Sequence, residues 1–173
     1  MRHLYLLRHA KSGWDDERLD DHDRPLAARG ERACAVMGPW LARATPSPRL
    51  ALSSSARRAV DTVALVLPHL APTPPLRIER GLYLASPAEL QAALTALEDS
   101  FDAVLLVGHN PGLQQLALQL VGAGDAETRE QLARKLPTAA LVQLRFPVDR
   151  WAEIGPGRGE LVRFVRPREL GAS

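Results

Sequence analysis

Cysteine is all but missing from this chain: Cys34 stands alone among 173 residues. One thiol excludes an internal disulfide and any metal site built from several cysteines. Long apolar runs are missing too. No stretch approaches the ~20 apolar residues that span a bilayer, so no membrane segment is expected. The four-residue run Leu4–Leu7 before Arg8 is too short for the core of a signal peptide, which points to a cytoplasmic protein. There is also no excess of charge of one sign. The formal net charge is +2 despite a pI near 9.1, and acids interleave with bases along Arg145, Asp149, Arg150, Glu153, Arg158, Glu160 and Arg163. Without a basic stripe, a nucleic-acid partner is not expected. Lysine is scarce, with Lys11 and Lys135 the only two among 22 basic residues. An arginine-rich, lysine-poor chain of this kind reflects base composition, so no single arginine carries much weight alone.

What remains is an ordinary globular composition, 46% apolar and 24% charged, in a chain the size of one domain. Residues 1–173 are read as a single domain and as a monomer. Strands and helices alternate. Strands are expected at 3–8, 49–53, 76–78, 103–108, 138–146 and 160–165; helices at 26–43, 56–70, 87–98, 111–121 and 125–135. Ser86-Pro87-Ala88-Glu89 reads as an N-cap, a first-turn proline and a capping-box acid, and Asn110-Pro111 as a second cap followed by proline. The last two strands can pair antiparallel at the sheet edge, across the loop that holds Trp151. The Gly155–Gly159 segment lacks the strand-to-helix setting of a nucleotide loop and reads as a flexible connection. The fold class is therefore α/β: a three-layer domain with a mainly parallel central sheet, helices on both faces and an antiparallel edge strand.

Placement of two histidines is the most informative feature. Leu4-Tyr5-Leu6-Leu7-Arg8-His9 and Val104-Leu105-Leu106-Val107-Gly108-His109 both read as buried strands that end in histidine. Residues just past the carboxyl ends of parallel strands face a common crevice. A third strand, Leu50-Ala51-Leu52, runs into Ser53-Ser54-Ser55 and then Arg57-Arg58. Two imidazoles, hydroxyls and guanidinium groups at one edge describe a phosphoryl site. A cysteine-based phosphatase is excluded, since position 40, where its loop needs arginine, is Trp40; Cys34 falls in a helical pattern as a core thiol. His3, His22 and His69 have no partners in the sequence and read as surface or edge residues.

Three segments carry a resemblance to a known family. Leu7-Arg8-His9-Ala10-Lys11-Ser12-Gly13-Trp14 resembles the Arg-His-Gly signature of the histidine phosphatase superfamily. Ser54-Ser55-Ala56-Arg57-Arg58-Ala59-Val60-Asp61-Thr62 is similar to its second motif, and Gly108-His109-Asn110-Pro111 to its third. They fall in the family's order, and the short Arg-His-Ala-Lys-Ser variant resembles the SixA-type phosphohistidine phosphatases. The resemblance implies that His9 is the nucleophile, that Arg8 and Arg58 bind phosphoryl oxygens, and that His109 donates to them. It adds Ser12 and Ser54 as further substrate-binding hydroxyls and Trp14 as a wall of the site. Arg57 would point about 100° away from Arg58 on a helix and lie outside the site.

The chemistry agrees. Phosphoryl transfer spreads charge over equatorial oxygens, which planar guanidinium groups match. His9 must present an unprotonated nitrogen while its other nitrogen is fixed by a hydrogen bond. His109 gains from being protonated near a dianion, so the two are expected to titrate apart. No cofactor or metal is expected, because the arginines supply the positive charge. One family feature has no clear counterpart, the carboxylic acid that protonates an alkoxide leaving group. Glu79, an acid within 15–23, or none are the options. A phosphoramidate needs such an acid least. The expected function is a metal-independent phosphatase acting on phosphohistidine in a phosphotransfer or signalling protein. A phosphatase or mutase for a small phosphorylated metabolite and a non-catalytic phosphoprotein-binding module are the alternatives.

Overall fold

A computed structural model describes residues 1–172. Its strands are β1 (Arg2–Arg8), β2 (Leu50–Ser54), β3 (Leu76–Glu79), β4 (Ala103–Gly108), β5 (Val121–Gly124), β6 (Leu141–Phe146) and β7 (Gly159–Val165). The helices are α1 (Ala28–Leu41), α2 (Arg57–Val66), α3 (Pro87–Thr95), α4 (Gly112–Leu120) and α5 (Ala126–Arg134). The strands form one sheet in the order β3-β2-β4-β1-β6-β7-β5. Neighbours are parallel except that β6 runs against both β1 and β7.

Side chains on a strand alternate between faces, and here both faces are buried. On β1, Leu4 and Leu6 join one core while Tyr5 and Leu7 join the other; β4 splits likewise into Val104 and Leu106 against Leu105 and Val107. This explains why these strands read as unbroken apolar runs. The first core is closed by Leu90 and Leu94 of α3, Leu113, Leu116 and Leu120 of α4, and Leu132 of α5. The second is closed by Ala33, Cys34, Met37 and Leu41 of α1 with Ala59, Val63 and Val66 of α2. Burial pushes the Cys34 thiol up to about 11, as expected of a core thiol. Among the described residues no helix is long and apolar enough to cross a membrane.

The expected α/β sandwich is therefore present, with corrections in detail. The antiparallel strand β6 lies inside the sheet, because β5 pairs parallel with β7 and takes the edge beyond it. The sequence hides β5: its Val-Gly-Ala-Gly stretch is mostly exposed and lacks alternation, so pairing with β7 alone makes it a strand. The strand expected from 138 begins only at Leu141, since Ala139 adopts a left-handed φ of 58°. That turn is held by the Ala139 N–H, which donates to the Arg8 and His9 carbonyls at 3.0 and 3.1 Å. The Ser86 capping box is formed, with Glu89 N–H on Ser86 Oγ and Ser86 N–H on Glu89 Oε2. Asn110 is not a cap. Pro111 occupies the N-cap position of α4, and the Asn110 amide instead donates to the Leu136 carbonyl at 3.0 Å. The segment read as flexible is tied down at Gly157, whose N–H donates to the Gln119 carbonyl at 2.9 Å.

Gly30 on α1 lets the helix approach the chain just after β1, where any Cβ would collide with the Lys11 carbonyl. Leu106, fully buried at the centre of β4, shows how far site and core are separable. Leu106→Ala is expected to cost about 2–5 kcal/mol in urea unfolding.

Candidate active site

The carboxyl ends of β2, β4 and β1 lie side by side. The His9 N–H continues the β1–β4 pairing to the Gly108 carbonyl at 3.1 Å, which brings His9 beside His109 with ring centroids 5.0 Å apart. Arg58, on the first turn of α2, reaches between them from the neighbouring strand end. Its Nε points at His9 Nε2 at 3.4 Å and its Nη2 at His109 Nδ1 at 3.5 Å. These are long contacts, yet both place a guanidinium N–H against a ring nitrogen, which must then be unprotonated. His9 Nδ1 lies 2.7 Å from the Ala10 carbonyl, and His109 Nε2 lies 2.7 Å from Ser54 Oγ. The hydrogen-bond network thus assigns the proton of His9 to Nδ1 and that of His109 to Nε2.

All three side chains are buried, His9 at 8% exposure, His109 at 3% and Arg58 at 4%. Burial is the largest cause lowering both imidazoles. His9 falls to about 4, against a raising hydrogen bond from Ala10, with Arg58, Arg8 and Arg24 lowering it further. His109 falls to about 3, with His9, Arg58 and Arg8 adding to burial and Asp21 opposing. Arg8 is half-buried. Its Nη1 donates to the Leu136 carbonyl at 3.0 Å, while its buried Nε has no hydrogen-bond partner among the described residues.

An acid completes the arrangement. Asp21, in a short 3-10 turn over Asp21–Asp23, takes Arg58 twice, with Nη2 on its Oδ2 at 3.0 Å and Nη1 on its backbone carbonyl at 2.5 Å. The same Oδ2 accepts from the Tyr83 hydroxyl at 2.5 Å, and Oδ1 from Arg24 Nη1 at 3.1 Å. The Tyr83 hydrogen bond, then those from Arg58 and the charge of Arg24, hold this carboxyl below the usual carboxylate range despite some burial. Burial, then the Asp21 contact, raises the Tyr83 hydroxyl. Tyr83 also stands edge-on to His109 and to His22, with centroids 5.4 and 4.9 Å away.

Comparison with known proteins now bears on the chain. The family model "Histidine phosphatase superfamily (branch 1)" matches residues 4–83, from β1 through Tyr83. The uncharacterized Mycobacterium tuberculosis protein Rv1276c is 37% identical over 164 residues, covering 94% of this chain and all of that protein. The chain belongs to the histidine phosphatase superfamily. It is a phosphatase of the SixA-like kind. A Nakamurella multipartitia protein assigned as the phosphohistidine phosphatase SixA superposes with a TM-score of 0.84 at 27% identity, over 96% of each chain. An Agrobacterium tumefaciens protein with the same assignment gives 0.81 at 25%, over 96% of this chain and 98% of that one.

His9, Arg58 and His109 come together at one sheet edge, with Arg8 ending the strand beside them. Arg57 lies outside, exposed and paired with Asp61 at 3.6 Å. Ser54 touches His109 rather than open space, and also accepts the Ala56 N–H at 3.2 Å. Ser12 accepts a hydrogen bond from Arg24, and Trp14, 69% exposed, lies on the Arg24 guanidinium with its ring centroid 3.4 Å from Cζ. Ser12 and Trp14 therefore reach the site through Arg24. Glu79 makes no side-chain hydrogen bond among the described residues. Sequence reasoning missed Arg24 and Tyr83 altogether and set His22 aside as a surface residue, yet its Nε2 lies 2.9 Å from Ser55 Oγ. Asp21 was one acid among many in its loop, and only the fold singles it out. Without a dianion beside them, both histidines are buried among cations and both are lowered.

Both imidazoles are thus neutral at pH 7. NMR titration of the substrate-free protein should find His9 and His109 titrating near 4 and 3, with neither near 6.5. Because the unfolded chain takes up these protons first, stability should fall as pH drops from about 6.5 towards 4. Urea unfolding over that window provides the check.

Proposed function

We propose that the protein hydrolyses phosphohistidine in another protein through a covalent phosphohistidine on its own His9, without a metal ion. The observation that carries this reading is the state of His9. Its Nδ1 proton is tied to the Ala10 carbonyl, its Nε2 lone pair faces Arg58, and burial keeps the ring neutral. That is the state a nitrogen nucleophile needs at neutral pH.

In the first step His9 Nε2 attacks phosphorus. A P–N bond to Nε2 forms as the P–N bond to the substrate imidazole breaks. The Arg8 and Arg58 guanidiniums face the charge that spreads over the phosphoryl oxygens, and His109, its Nε2–H held by Ser54, stands beside Arg58. Arg8 suits this role through its buried, unpartnered Nε. In the second step water attacks phosphorus, the P–Nε2 bond breaks, inorganic phosphate leaves and His9 returns to its neutral state. Asp21 is held ionised, which suits it to take the proton from that water rather than to supply one in the first step. Ser54 positions His109 through its hydroxyl.

The absence of a ready acid is what favours phosphohistidine over an ester. Glu79 makes no side-chain hydrogen bond among the described residues, Asp21 is anionic, and the Tyr83 hydroxyl is raised rather than lowered. An alkoxide would leave poorly from such a site. A phosphorylated imidazole can depart already protonated, and so asks little of the enzyme.

A phosphohistidine peptide should be turned over much faster than a phosphoserine peptide or a panel of sugar phosphates. The reverse order would favour a small-metabolite phosphatase. Brief reaction with a labelled phosphodonor and an alkaline quench should trap acid-labile phosphate, and His9→Ala should abolish both label and turnover. Arg58→Ala is expected to lower kcat by about 10²–10³. Asp21→Asn should let label accumulate, because it slows the second step more than the first. Full turnover by the His9→Ala variant would remove the mechanism.

A further inference from the structure

On the α1 side of the nucleophile loop lies a cavity of about 110 Å³ that the mechanism does not use. Lys11, Arg29, Thr138, Arg166 and Arg168 line it with two prolines and two alanines. Its volume is far below the roughly 300–1,000 Å³ of sites that enclose a drug-sized ligand. A nucleotide does not fit within it, whereas one carboxylate or phosphate group does.

Its charge is unbalanced. Arg166 is paired with Glu169 and lies 5.5 Å from the Phe164 ring centroid, so its position is structurally set. Lys11, Arg29 and Arg168 make no ion pair among the described residues. Three cationic residues and Thr138 therefore border one small space. Like charges so placed repel one another, and an oxyanion between them relieves that repulsion while accepting charge-assisted hydrogen bonds.

The cavity is also joined to the catalytic centre by short covalent paths. Lys11 is the second residue after His9, and its carbonyl accepts the Ala27 N–H at 2.9 Å. Pro137 and Thr138 lead into Ala139, whose N–H holds the Arg8 and His9 carbonyls. The segments that fix the nucleophile thus form one wall of the basic cavity, placing two anion-seeking sites along one edge of the molecule. Two such sites side by side suit a partner that presents a phosphoryl group and a nearby carboxylate.

We propose that the cavity lined by Lys11, Arg29 and Arg168 is a second oxyanion site, which receives an acidic side chain of the phosphorylated protein substrate. This rests on the phosphoprotein reading above and adds what that reading lacks, a means of recognising the protein around the phosphohistidine.

Two synthetic phosphohistidine peptides, identical except for glutamates or alanines flanking the histidine, test it. The wild-type protein should favour the acidic peptide by roughly tenfold or more in kcat/KM, chiefly through KM, as expected for a charge-assisted contact. Arg29→Glu/Arg168→Glu should erase that preference while changing turnover of the alanine peptide and of para-nitrophenyl phosphate by no more than about twofold. Both residues are exposed, so the variant should fold. Equal turnover of the two peptides by the wild type would overturn the proposal, as would a uniform loss on all three substrates in the variant. If neither peptide is hydrolysed, the phosphohistidine reading fails separately, and calorimetry with inorganic phosphate decides the cavity. Two binding sites in the wild type and one in the double variant support it; a single site in both overturns it.

Discussion

The site depends on one buried guanidinium. Arg58 is almost wholly removed from water, and its N–H groups are shared among Asp21, His9 and His109. A buried cation is tolerated only when it is paired and hydrogen-bonded, and Asp21 supplies the pairing with both carboxylate and carbonyl. The arrangement has two consequences. Asp21 is drawn out of an otherwise solvated acidic loop onto the catalytic edge. The two histidines, facing a cation in a dry setting, are kept neutral. Arg24 extends the network outward to Ser12 and Trp14, and Tyr83 closes it from the β3 side.

The fold makes that convergence unavoidable. β2, β4 and β1 are adjacent and parallel, and each is buried on both faces, so their ends are fixed relative to one another by two cores. Arg58 arrives on the helix that follows β2, while His109 and His9 continue β4 and β1. The inward placement of β6 matters as well. By pairing antiparallel with β1 it brings the Pro137–Ala140 turn under the nucleophile, where Ala139 binds the Arg8 and His9 carbonyls.

Much of this was legible in the sequence, and the exceptions share a cause. Apolar runs bounded by proline and polar residues located six of the seven strands, and the strand-end histidines located the site. Periodicity follows from burial, and β1 and β4 are the most buried strands. What escaped was structure that depends on distant partners. β5 is a strand only because β7 lies beside it. Asn110 has the residue type of a cap, but its amide is claimed by Leu136, which no local rule foresees. Asp21, Arg24, His22 and Tyr83 carry no motif; their roles follow from where the loop after β1 and the turn after β3 land. Ser12 and Ser54 were sought as hydroxyls for substrate and are instead turned to Arg24 and His109.

Chemically, the site is rich in fixed positive charge and poor in available protons. It suits a reaction whose leaving group carries its own proton, and a nucleophile whose attacking nitrogen is chosen by the hydrogen bond on the other. The central claim is therefore about one atom, His9 Nε2. Protein labelled with ¹⁵N-histidine, phosphorylated and quenched in alkali, should show ³¹P–¹⁵N coupling to Nε2 of His9. Coupling to Nδ1, or to any other histidine, would contradict the account.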